Sequence, residues 1–207
     1  MALHHLLYRC PECGHDPLGG DGDRAQCASC SRVYERRRQG GTIHVTAPGG
    51  DEREVPIGEL VQKIEERGGP VPAALGPDGR IAYTTRATAR EADLESPVRF
   101  RGKVLGFVEQ LGEGAVGQLS IDEEALRFAP DAAGADPKAW PLLGIRAVQS
   151  SSSSIQISPL EGGVILFRFE SDSPVRWESL VKHTLQRAYD REGRGKIREF
   201  QPRIVIG

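Results

Sequence analysis

A chain of 207 residues, 38% hydrophobic and 27% charged, has room for one medium domain or two small ones and the make-up of an ordinary soluble protein. Its 27 Lys and Arg against 29 Asp and Glu leave a formal charge of −2, which excludes a protein built wholly around nucleic acid. No apolar run approaches the roughly 20 residues of a membrane-spanning helix, so no transmembrane segment is expected.

From the N-terminus, the first informative feature is the cysteines. All four fall in two pairs, Cys10-Pro11-Glu12-Cys13 and Cys27-Ala28-Ser29-Cys30. A CxxC turn aims two thiolates at one point, and a second such turn completes the four-sulfur shell of tetrahedral zinc. Gly14 lets the first turn take a positive φ, and the polar stretch from Asp16 to Asp23 leads the chain out and back. In this spacing, roughly residues 6–46 resemble zinc-ribbon domains. The resemblance implies structural Zn2+ held by Cys10, Cys13, Cys27 and Cys30, with no position left for a catalytic water. Disulfides would need an oxidising compartment, yet Met1 to Leu7 lacks the basic region and cleavage site of a secretory signal. A thioredoxin-like redox pair would need a βαβ context. Reduced cysteines and no targeting segment place the protein in the cytoplasm. His15 reads as a loop histidine beside an already complete shell.

Arg36, Arg37 and Arg38 follow, beside Tyr34 and Glu35. Guanidinium groups pair phosphates bidentately, so these three are the candidate nucleic-acid contact, with a solvated turn as the plainer reading. Thr42 to Thr46 reads as a last ribbon strand. Ile57, Leu60, Val61 and Ile64 predict a helix over 57–67, stopped by Gly68-Gly69-Pro70. Ile81 to Thr88 reads as a strand. The expected organisation is a ribbon at 1–47, a connector at 48–96, a β-rich domain at 97–193 and a tail at 194–207.

Within the β-rich part, Val98, Phe100, Val104 and Val108 predict one face of a strand, and Arg99, Arg101 and Lys103 the other. Strands are expected over 117–122, 125–129, 140–149, 154–158 and 164–169. Asp172-Ser173-Pro174 is a helix start, followed by Trp177, Leu180, Val181, Thr184, Leu185 and Ala188 at helical spacing. Antiparallel strands closed by one amphipathic helix resemble the pleckstrin-homology-like fold, the group that contains GRAM-type domains. The expected class is therefore α+β: a small zinc ribbon followed by an antiparallel β-barrel of pleckstrin-homology-like type capped by a C-terminal helix.

That resemblance implies a binding role. A protein partner would dock through the barrel edge or beside the terminal helix. Lipid-binding members carry basic residues in the loop after the first strand; here that loop reads as 112–117, with no Lys or Arg. The Arg99, Arg101 and Lys103 stripe is the candidate contact for anionic lipid. The CPxCG ribbon followed by the helix near 54–67 also resembles the accessory region of bacterial lysophospholipid acyltransferases. The catalytic histidine of that family, with Asp five positions on, has no counterpart here.

Other motifs point away from chemistry. Gly112-Glu113-Gly114-Ala115-Val116-Gly117 matches GxGxxG and resembles a kinase glycine-rich loop, but no VAIK, HRD or DFG follows. A strand-like segment follows where a Rossmann motif needs a helix, so the glycines read as a hairpin tip. The serine run 150–154 reads as a turn. His44 and His183 stand without a placed nucleophile or carboxylate, and Asp122-Glu123-Glu124 reads as solvated charge. The expectation is a non-enzymatic zinc-binding adaptor that docks a protein partner through its barrel. The alternatives are a peripheral phospholipid-associated module and a nucleic-acid-binding ribbon.

Overall fold

The computed structural model describes residues 1–37, 41–93, 97–107, 110–151 and 153–197. A short helix α1 (Leu3–Leu6) precedes strands β1 (Gly19–Asp21), β2 (Arg24–Gln26), β3 (Val33–Arg36), β4 (Thr42–Thr46) and β5 (Glu52–Pro56). These five pair antiparallel in chain order. Alternation sets the buried face: Ile43 and Val45 of β4 point inward between exposed or half-exposed neighbours. Helix α2 (Ile57–Glu66) leaves β5 directly and buries Leu60 and Ile64, one turn apart. Together with Leu3, Leu7, Tyr8, Tyr34 and Val55 they make one core. The packing unit around the cysteines therefore runs past residue 47 and takes in β5 and α2.

After a one-turn helix α3 (Val71–Ala74) come β6 (Ala82–Asp93), β7 (Pro97–Phe100), β8 (Lys103–Phe107), β9 (Gln110–Leu111), β10 (Ala115–Asp122), β11 (Ala125–Pro130) and β12 (Lys138–Pro141). A 3-10 turn (Leu142–Gly144) leads into β13 (Ile145–Ser150), β14 (Ser154–Pro159), β15 (Ile165–Phe169) and helix α4 (Pro174–Arg191). The second sheet has the order β12-β11-β10-β6-β15-β14-β13, antiparallel throughout, and it curls into a half-barrel. Consecutive strands β12 and β13 lie at its opposite edges, and α4 packs beside β13 and the turn. The core is Leu119, Ile121, Leu126, Phe128, Ile155, Ile157 and Phe167 from the sheet, with Trp177, Leu180, Val181 and Leu185 from α4. Ser173 caps α4 by accepting the Arg176 backbone N–H at 3.0 Å, with Pro174 in the first turn. The architecture is α+β. Among the described residues no helix is long and apolar enough to cross a membrane.

Three details differ from expectation. The first sheet strand is β6, not a strand over 98–108. β6 pairs with β10 from Ala82 to Ala89 and with β15 from Ala87 to Glu91. The strand read at 81–88 is the first part of β6; its inward residues Ala87 and Ala89 are small and weakly strand-forming, which hid its continuation to Asp93 and its central place in the sheet. Residues 97–107 instead form a separate hairpin, with Val98 opposite Gly106 and Phe100 opposite Lys103. Its turn is Arg101 at φ 48° and Gly102 at φ 77°, two left-handed residues in succession. Arg101 and Lys103 therefore sit at a hairpin tip in the connection after the first strand, not on the outer face of the barrel. Gly117, expected in a hairpin tip, lies inside β10. A Cβ there would come within 2.3 Å of the Ala129 carbonyl oxygen, so close strand approach requires glycine.

Candidate metal centre and docking edge

The two cysteine turns face each other. The sulfurs of Cys10, Cys13, Cys27 and Cys30 all lie within 4.8 Å of one another, and the four are free thiols. Cys10 Sγ is 3.7 Å from Cys30 Sγ, and Cys13 Sγ is 3.5 Å from Cys27 Sγ. A tetrahedron with zinc–sulfur bonds of about 2.3 Å has edges of about 3.8 Å, so the spacing suits a metal bound by four thiolates. The two turns are built alike. The Gly14 N–H reaches the Cys10 carbonyl at 2.9 Å, and the Ser31 N–H reaches the Cys27 carbonyl at 2.9 Å. Gly14 and Ser31 occupy equivalent left-handed positions, at φ 76° and 59°.

Polar groups around the sulfurs tune them. The Cys30 N–H points at Cys27 Sγ at 3.4 Å, and the buried Tyr34 hydroxyl lies 3.2 Å from Cys10 Sγ. Burial pushes the Cys10 thiol up and the Cys27 thiol up to about 12. Burial acts on Cys13 too, but hydrogen bonds from the His15 backbone and the neighbouring sulfurs outweigh it and bring that thiol down to about 7. A metal binding here displaces protons from Cys10 and Cys27, so its capture is favoured by rising pH.

The loop that carries Cys10 and Cys13 also holds the second sheet. Arg176 of α4, its side chain only 8% exposed, lies 2.5 Å from Asp16 Oδ1 and 3.5 Å from Asp172 Oδ1. It donates to the Tyr83 hydroxyl of β6 at 2.5 Å and to the Tyr8 carbonyl at 3.3 Å, with its guanidinium over both tyrosine rings. Asp172 in turn accepts from Trp177 Nε1 at 2.8 Å and from the Tyr83 hydroxyl at 3.0 Å. The Ser173 hydroxyl donates to the His5 carbonyl. Burial lifts the Asp16 carboxyl above its ordinary value despite Arg176, whereas for Arg176 the nearby Asp172, Tyr83 and Asp16 outweigh burial and keep it charged. The pair adds little net stability, yet removing the cation alone strands buried charge.

The predicted nucleic-acid residues are spent on cross-strand pairs. Arg36 meets Asp23 at 3.5 Å and Arg37 meets Glu54 at 3.3 Å, while nearby Arg24 meets Glu35 at 3.3 Å. Arg38 lies outside the described residues. No unopposed basic face forms from the described ones. At the hairpin tip, Phe100 is 59% exposed, the Arg101 guanidinium sits 5.3 Å over its ring, and Lys103 is exposed beside them. Arg99 lies in β7 opposite Val104.

His183, which the sequence left alone, does meet a serine and a carboxylate. Ser179 Oγ donates to Glu65 Oε1 at 2.9 Å and lies 3.3 Å from His183 Nδ1. That nitrogen is 2.8 Å from the Ser179 carbonyl, which assigns its proton there, so the serine proton goes to Glu65 and not to the imidazole. Glu123, taken for solvated charge, is a clamp. It pairs with Arg187 at 2.7 Å and Arg191 at 2.9 Å and fixes the C-terminal end of α4. The signal was available, since Arg187 and Arg191 lie one turn apart on α4.

Two grooves border α4. One, of 430 Å3, separates α2 from α4 and contains the Glu65, Ser179 and His183 group. The other, of 370 Å3, lies between α4 and β13. β13 is a sheet edge: it pairs with β14, with an irregularity between Ile145 and Ala147, and among the described residues carries no strand on its other side. Val148, Leu185, Tyr189 and Ile197 line this groove with Arg146, Lys182 and Lys196. The fold resemblance pointed to a barrel edge or to the flank of the terminal helix, but which strand forms that edge depends on the order of strands in the sheet.

Comparison with known proteins places these features as follows. No protein-family model and no curated protein matches the chain. Among solved structures, the chain is similar to the N-terminal PH domain of human ARAP2, at a TM-score of 0.38 and 10% identity, over 60% of this chain and 93% of that one. It is also similar to the C-terminal domain of an unknown protein from Leishmania infantum, at a TM-score of 0.34 and 12% identity, over 60% of this chain and 98% of that one. The resemblance to acyltransferase accessory regions is unsupported.

Proposed function

We propose that this chain is a non-catalytic docking module: a zinc-stapled N-terminal unit carries a half-barrel of pleckstrin-homology-like type whose β13 edge receives a segment of a partner protein. The observation that carries the reading is the edge of β13, which carries no further strand among the described residues, beside a groove with an apolar floor. An exposed strand edge offers backbone N–H and C=O groups to an added strand, and the groove offers pockets for its alternate side chains. Zinc is the metal that four thiolates at this spacing fit best, and a closed shell gives it a structural role. Through Asp16 and Tyr8 that shell braces the helix bordering the groove, which gives the N-terminal unit a part in shaping the docking surface.

A photo-crosslinking residue at Ala147, exposed on β13, tests this in the cell of origin, with Ala133 in the exposed turn after β11 as control. The expected result is one protein joined at Ala147 and not at Ala133. Equal cross-linking at both positions contradicts the reading.

The hairpin tip favours a second reading. An exposed Phe100 flanked by Arg101 and Lys103 combines an apolar wedge with cations, the chemistry that meets an anionic membrane surface. Co-sedimentation with phosphatidylserine vesicles, lost on Phe100→Ala with Arg101→Glu and Lys103→Glu, supports it; unchanged sedimentation of the triple variant removes it.

A further inference from the structure

Resting on the docking reading, we infer that the β13–α4 groove takes an acidic extended segment, with carboxylates alternating with aliphatic side chains. The argument is the sign of the lining. Arg146 projects from the edge strand, Lys182 from α4 and Lys196 from the turn after α4, and among the described residues no carboxylate lines the groove. This occurs in a chain whose acids outnumber its bases, 29 to 27. The α2–α4 groove differs, because Glu65 and Glu178 there outnumber its one lysine, Lys182. Lys182 is itself paired with Glu178 at 2.9 Å, and Glu178 also accepts from Ser150 at the end of β13, so Arg146 and Lys196 carry most of the local field.

Geometry sets the rest. A strand added beside β13 lies about 4.8 Å away, and its side chains alternate between the two faces of the sheet. Those directed at α4 meet Val148, Leu185 and Tyr189 and are aliphatic; those at the rim meet Arg146 and Lys196 and are acidic. The irregularity between Ile145 and Ala147 leaves Ala147 to Ser150 as the regular stretch, so the recognised core is short, about four to six residues. Charged side chains on an edge also deter self-pairing, a duty that Arg146 performs with either sign of charge. Reversing its sign therefore separates recognition from protection.

The test uses three labelled heptapeptides on the full chain, followed by fluorescence anisotropy: alternating Glu and Val, alternating Lys and Val, and alternating Glu and Ser. The Glu–Val peptide is expected to bind at least tenfold more tightly than Glu–Ser and at least 100-fold more tightly than Lys–Val. Hydrogen exchange should slow across 145–150 on binding. Arg146→Glu with Lys196→Glu, both exposed positions, should weaken Glu–Val binding at least tenfold while circular dichroism stays unchanged. Equal binding of Glu–Val and Lys–Val, indifference to the double reversal, or no binding of any peptide overturns the inference. If a partner still cross-links at Ala147 in that case, docking stands and only the acidic preference falls; loss of that cross-link removes the docking reading itself.

Discussion

Gly117 and Asp122 show how much one position in β10 constrains. At Gly117 the backbone of Ala129 occupies the space of a side chain, so Gly117→Ala must push β11 aside. We expect a loss of about 1–3 kcal/mol in urea unfolding, the usual cost of overpacking. Gly114→Ala, which meets the movable end of Thr88, should cost less. A neutral Gly117→Ala would contradict the close approach. Asp122 supplies a pH term. Burial alone would raise its carboxyl, but the Ala125 and Glu124 backbone N–H groups and Arg127 outweigh it and hold the carboxyl below its ordinary value. A carboxylate with a depressed folded value stabilises above the unfolded value, near pH 4, and that contribution is lost as pH falls through the folded one. Asp122→Asn should therefore flatten the decline of Tm below about pH 4. An unchanged slope would assign acid sensitivity elsewhere, Glu12 being the next carboxylate held low, since Lys63 and Arg53 outweigh its burial.

At the scale of elements, the helix α4 and the cysteine loop act on each other through Arg176. Arg176→Ala leaves Asp16 and Asp172 buried with no cation, at a cost of about 3–5 kcal/mol. Asp16→Asn removes one of two carboxylates facing a single guanidinium and should cost about 1 kcal/mol. Chemical denaturation with Trp177 fluorescence reads both, since Trp177 hydrogen-bonds Asp172. Equal losses for the two variants would mean that the network is not charge-balanced as described. The same elements show what was legible in the chain. The cysteine turns and α4 could be read because their signals are local: four-residue spacing in one, a 3.6-residue apolar period with a Ser-Pro start in the other. β6 could be read only as far as Thr88, and its central place in the sheet could not, because its core face is alanine. The run of Val98, Phe100 and Val104 suggested one strand, but the turn at Arg101-Gly102 breaks the period and folds it into a hairpin; Val108, the fourth residue of that reading, lies outside the described residues. Asp16 and Arg176 lie 160 residues apart, and no spacing rule pairs groups across that distance.

For the whole molecule, two cores share a buried ionic seam. The β13–α4 groove is built from the sheet edge and a helix whose first turn is held by the loop that carries Cys10 and Cys13. A ligand that binds the folded state alone stabilises everything coupled to it, so metal loss should reach beyond the cysteines. The most direct measurement is metal content of the full chain, followed by hydrogen exchange before and after chelation under reducing conditions. One zinc per chain is predicted, with chelation exposing residues 3–18 and the first turns of α4 while β14 and β15 stay protected. Absence of zinc, or exposure confined to residues 10–30 with α4 unchanged, would contradict the coupling of metal centre to docking edge.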